Sequence, residues 1–122
     1  EIASCLVGSE MCIRDRMQRR TSAVIAHNDL MAMGFMIAVK SVGIEVPRDV
    51  SVVGTDNIFM SALFTPALTT VTTSRNTQGK LAFNQLLEQL RHQHRDTGHL
   101  TTSIAMKLVE RDSTAQVPSL HR

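Results

Sequence analysis

Hydrophobic and polar positions alternate in blocks along this chain. Ala23–Ala26 is a short apolar run of strand length, and it runs straight into His27, Asn28 and Asp29. A Met-rich pattern at helical spacing follows. Asp29 is placed to cap a helix over about Leu30–Val42, which Gly43 ends. "VPRD" then leads into a second apolar strand, Val50–Val53, stopped by Gly54. A short helical turn is predicted near Asn57–Leu63, followed by Pro66 and the β-rich run "LTTVTT". A longer amphipathic helix is predicted over about Asn76–Gln93, with Ala82, Phe83, Leu86, Leu87 and Leu90 on one face and Glu88, Gln89 and Arg91 facing out. "RDTGHLTT" reads as a loop. "SIAMKLVERDS" alternates, with Ile104, Met106 and Leu108 on one face and Lys107 on the other, which predicts a strand near a sheet edge.

Strands separated by helices at roughly 25–30 residues predict βαβ units, and so an α/β fold with a parallel sheet. The helix from Leu30 adds a detail. Leu30, Met31, Met33, Phe35, Met36, Ile37, Val39 and Val42 nearly encircle it, whereas a helix covered on one side needs only one apolar stripe. Its own sheet covers one side. The other is left for a partner subunit, for which adaptable Met side chains are suited, or for the rest of a larger domain.

Composition narrows the function classes. The chain has 122 residues, 43% of them apolar and 20% charged, which fits one globular domain and not a disordered segment. A net charge of +2 is too small for an electrostatic DNA footprint, and four Phe with no Tyr or Trp provide no stacking platform for single strands. Cys5 and Cys12 form neither a disulfide framework nor a zinc pattern. No apolar run is long enough to span a bilayer, and the acidic start is a poor signal peptide, so the expected setting is reducing and cytoplasmic. Residues 1–16 show no clear period and no turn-bounded strand. "CLVGSEMCIRDR" reads as translated sequencing-adapter or assembly readthrough, with a short natural terminus as the alternative. The domain is therefore taken as residues 17–122.

Two strand ends carry candidate chemistry. "AHND" and "GTDN" both place polar residues at the carboxyl end of an apolar strand, the edge at which open α/β sheets bind ligands. Asn28 offers a donor and an acceptor, and an ionised Asp56 offers acceptors, which suits sugar or nucleoside hydroxyls and purine N–H groups. The alternative is that both satisfy backbone groups in turns. Nucleophile-elbow, phosphate-loop and zinc-protease motifs are absent from the sequence, so no catalytic residues and no cofactor are assigned. His92, His94 and His99 read as a solvated helix end and loop, not as a metal site.

Taken together, "TSAVIAHNDLMAMG", "VGIEVPRDVSVVG", "TDN", "TPALTTV", the "AFNQLLEQL" helix and "LVERDST" resemble the carboxyl-terminal half of the effector-binding domain of the lactose/galactose repressor family of bacterial transcription regulators. The likeness runs from about Gln18 to Pro118. It implies a periplasmic-binding-protein-like fold of two α/β subdomains with a small effector in the cleft between them. By this resemblance Asn28 and Asp56 contact the effector, with Arg75 as a further cleft residue. Met33, Ile37, Leu63 and Phe64 fall where the family forms homodimers. Operator DNA is read by an amino-terminal helix-turn-helix, and no segment here corresponds to it. Where the family commonly has an aromatic before this Asp and a second Asp after it, this chain has Thr55 and Asn57. A periplasmic sugar-binding receptor of a transport system shares the fold and is the alternative function.

Overall fold

The computed structural model describes residues 2–5, 21–72, 74–91 and 101–116. Two compact units emerge: Glu1–Thr72 with Leu108–Arg122, and Thr73–Lys107. The first holds a sheet whose strands lie in chain order: β1 (Ile2–Cys5), β2 (Ala23–Ala26), β3 (Ser51–Thr55), β4 (Thr69–Thr72) and β5 (Lys107–Val109). β1 through β4 are parallel neighbours, with Val24 level with Val52 and Gly54 level with Thr70. The expected α/β class with a parallel sheet is what the chain forms.

Helix α1 (Asp29–Ser41) links β2 to β3 and packs across both. Its buried residues Ala32, Phe35, Met36 and Val39 recur at helical spacing and meet Val24, Ala26, Val52 and Leu68 in the core. Full burial of a side chain such as Phe35 or Val39 contributes about 1.5–3 kcal/mol. The helix ends in a Schellman motif. The Gly43 N–H donates to the Lys40 carbonyl (3.1 Å) and the Ile44 N–H to the Val39 carbonyl (3.0 Å). Gly43 supplies the φ of +79° that this ending requires. In the loop before β3, Arg48 lies against Asp49 and Glu45, and the hydrogen bond to Asp49 raises its pKa.

Helix α2 (Phe59–Leu63) follows β3, close to the predicted turn. The tail after β5 stitches the sheet. The Val52 N–H donates to the Ser113 carbonyl (2.8 Å), the Ser113 hydroxyl donates to the Val52 carbonyl (2.6 Å), and the Thr69 N–H donates to that hydroxyl (2.8 Å). Burial alternates along β2 and β3. Val24, Ala26, Val52 and Gly54 are buried under α1, whereas Ile25 on the opposite face is 45% exposed.

Four expectations need correction. Gly54 lies inside β3 and does not stop it; a Cβ there would run into Asp29 and the Leu68 side chain, so glycine is needed for close approach of α1. A strand forms at Ile2–Cys5, where the pattern predicted none. The open edge of β2 offers ladder hydrogen bonds to any extended backbone, with no demand on side-chain alternation. The predicted edge strand around Ile104–Leu108 shrinks to Lys107–Val109, with Met106 and Leu108 exposed. In the second unit, α3 (Arg75–Arg91) forms much as predicted, but it buries no side chain, and Phe83, Leu86 and Leu90 remain exposed.

Candidate functional site

The two Asx pairs sit at the carboxyl ends of neighbouring parallel strands, and the Thr55 hydroxyl bridges those ends by donating to the Ala26 carbonyl (3.4 Å). At the end of β2 the expected division of labour is reversed. Asn28 is the cap of α1. Its φ of −147° is extended, and its Oδ1 accepts from the Met31 N–H at 2.8 Å. Among the described residues nothing accepts from its Nδ2, so the half-buried carboxamide keeps a donor for something else.

Asp29 is not the cap. It is the first residue of α1, and it is 0% exposed. Its Oδ1 accepts from the Thr70 hydroxyl (2.6 Å) and its Oδ2 from the Ile58 N–H (2.8 Å). The Thr70 oxygen in turn accepts from the Asn57 N–H at 3.3 Å. One carboxylate thus ties together the start of α1, the turn after β3 and strand β4. Two charge-assisted hydrogen bonds and the positive end of the α1 dipole offset its desolvation. Capping statistics could not separate Asn28 from Asp29, because both residue types cap well. Thr70, forty-one positions away, decides it.

At the end of β3 the backbone behaves differently. Asp56 has a φ of 107° and Asn57 a φ of 49°, both in territory that glycine prefers. The Asp56 N–H donates to the Val71 carbonyl (2.9 Å), and its side chain is exposed at the sheet edge. The Asn57 Oδ1 accepts from the Arg111 guanidinium at 2.7 Å. Arg111 carried no signal in the sequence, since it reads as a polar position in an edge strand. Arg75 opens α3 in the second unit, with an exposed side chain.

The four residues expected at a dimer face divide. Ile37 and Leu63 are each 61% exposed and Phe64 is half-buried, but Met33 is only 7% exposed and belongs to the chain's own core. Met33 therefore offers almost no surface to a partner, a correction to the expected set. A groove of about 520 Å³ lies beside Ile37, walled by Met36, Ile44, Val46, Phe64 and Pro66, with Lys40 and Glu45 at its edge. His92, His94 and His99 fall outside the described residues, and among those described no three His, Cys, Asp or Glu side chains gather at a metal-binding distance. None of the described helices is long and apolar enough to cross a membrane.

The family model of the periplasmic binding protein-like domain matches residues 6–114. The chain belongs to that family. Its curated relatives include the HTH-type transcriptional repressor PurR of Edwardsiella ictaluri, 40% identical over 101 residues, and that of Proteus mirabilis, 41% identical over 101 residues; each match covers 83% of this chain and 29% of the relative. The chain thus spans under a third of the length of these relatives. Among solved structures, the lac repressor dimer bound to operator and an anti-inducer superposes with a TM-score of 0.75 at 29% identity, covering 88% of this chain and 37% of that one. A LacI family regulator from Enterococcus faecalis with bound ribose gives a TM-score of 0.78 at 27% identity, covering 90% of this chain and 40% of that one. These likenesses agree with the repressor-family resemblance carried by the motifs.

Proposed function

We propose that the chain is the carboxyl-terminal part of the effector-binding and dimerisation domain of a cytoplasmic bacterial repressor, and that it has no catalytic role. The observation that carries this reading is the pair of parallel strand ends, where, among the described residues, Asn28 keeps a spare donor and Asp56 has an exposed carboxylate at the same end of the sheet. That pair suits the hydroxyls of a sugar or nucleoside, or the ring N–H groups of a purine. Arg75 is a third candidate contact. Relatives named as transcriptional repressors favour a regulator over a periplasmic sugar-binding receptor.

In the whole regulator, effector binding shifts the population between two arrangements of the subdomains, and a homodimer interface around Ile37, Leu63 and Phe64 passes the change to operator-binding heads. Only an effector that binds the two arrangements unequally can do this. In the regulator carrying this segment, Asn28→Ala and Asp56→Ala are each expected to abolish the effector's influence on operator binding. Ile37→Glu is expected to turn the dimer into monomers by sedimentation. Effector affinity unchanged in both strand-end variants would refute the site.

A further inference from the structure

Among the described residues, Asp56 and Asn57 are the only non-glycine residues with positive φ, and they adjoin one another at the end of β3. Such a turn persists only where its surroundings over-determine it. Two of the tethers are backbone donors: the Asn57 N–H on Thr70 and the Ile58 N–H on Asp29. The third is a side chain on a side chain. The Arg111 Nη2 donates to Asn57 Oδ1 at 2.7 Å, while its Nη1 donates to the Leu68 carbonyl at 2.7 Å and to the Ser61 hydroxyl at 3.1 Å.

Arg111 is itself clamped. Its N–H donates to the Thr69 hydroxyl oxygen (2.9 Å), and that hydroxyl lies 3.2 Å from the Arg111 carbonyl. Ser61 is fully buried and donates to the Ile58 carbonyl at 2.6 Å. The guanidinium therefore joins Leu68 just before β4, α2 and the turn through one rigid fork. Among the described residues every acceptor on it is neutral, and no carboxylate recruits it. Three acceptors on one planar group define its orientation in a way that a single ion pair does not.

We propose that Arg111 is a positioning residue for the Asp56 carboxylate: by holding the Asn57 side chain, it fixes the left-handed turn that presents Asp56 at the sheet edge. The proposal rests on the reading of Asp56 as an effector contact, but it is tested without any effector. The measurement is amide hydrogen exchange on the full 122-residue chain and on its Arg111→Met and Arg111→Lys variants. Arg111→Met is expected to speed exchange at Asn57 and Ile58 by about tenfold or more, while amides of β2 and α1 stay within about threefold. Arg111→Lys keeps the charge but cannot reach all three acceptors, so its local effect is expected to fall between the two. Exchange that quickens uniformly across the sheet marks a merely structural residue and overturns the proposal, as does no local change in either variant. If Arg111→Met does not fold, the local-versus-uniform pattern in Arg111→Lys decides. Failure of the effector reading is seen separately, as effector affinity unaffected by Asp56→Ala.

Discussion

The ends of β2 and β3 look alike in sequence and are built in opposite ways. Each presents an Asx pair after an apolar strand. At β2 the first Asx caps a regular helix, and the second is buried as a bolt across three elements. At β3 the first Asx is exposed on a strained backbone, and the second is held by Arg111. The residue type allows both outcomes; what the chain does next selects between them. After Asn28 a helix of thirteen residues begins, and its free N–H groups draw in the nearest side-chain oxygen. After Asp56 the chain must turn sharply into a five-residue helix that has no side-chain cap, and the strain is carried by tethers from elsewhere. At the first strand end a buried carboxylate locks the fold; at the second the carboxylate is exposed on the turn.

Breaking the bolt is the largest expected effect. Asp29→Ala strands the Thr70 hydroxyl and the Ile58 N–H in a dry site, and it is expected to destabilise the chain by about 3 kcal/mol or more in urea unfolding. A loss under about 1 kcal/mol would mean that water readily replaces the carboxylate. A smaller effect sharpens the comparison at Asn28, where two roles share one side chain. Asn28→Ala is expected to cost about 1 kcal/mol through the lost cap, whereas Asn28→Ser restores a capping oxygen and returns stability to within about 0.5 kcal/mol of the parent. Both variants lack the carboxamide donor, so on the present reading both lose the effector. Recovery of effector affinity in Asn28→Ser would make Asn28 a cap and nothing more.

The smallest effect on stability is expected at Asp56. Glycine there relieves a φ of 107°, while the lost carboxylate takes an interaction of its own with it, so Asp56→Gly is expected to stay within about 1 kcal/mol of the parent in urea unfolding. A loss of more than about 2 kcal/mol would make Asp56 a structural residue and not a ligand contact.

Legibility in the sequence followed the range of the interactions. Strand β2, helix α1 and the Gly43 ending were visible because their signals are local: an apolar run, helical spacing and a glycine one residue past the cap. The choice between Asn28 and Asp29 was not local, since Thr70 and Ile58 make it. Gly54 looked like a stop because its need for a missing Cβ comes from Asp29, twenty-five positions earlier. The apolar stripe of α3 was read correctly, but spacing reveals which side is apolar and not whether anything covers it. Asn28 and Asp56 were singled out from their place after strands. The residues that hold their neighbours, Thr70 on Asp29 and Arg111 on Asn57, resemble ordinary polar positions in a strand or turn until the fold brings them together.

The most direct test of the division between the two strand ends is calorimetric titration of the regulator carrying this segment, wild type against Asp56→Gly, with ribose, lactose and purine bases as probes. A probe bound by the wild type is expected to lose about tenfold or more in affinity in the variant, at an unfolding temperature close to that of the parent. Undiminished affinity would contradict it, and the end of β3 would then be a strained turn without a ligand.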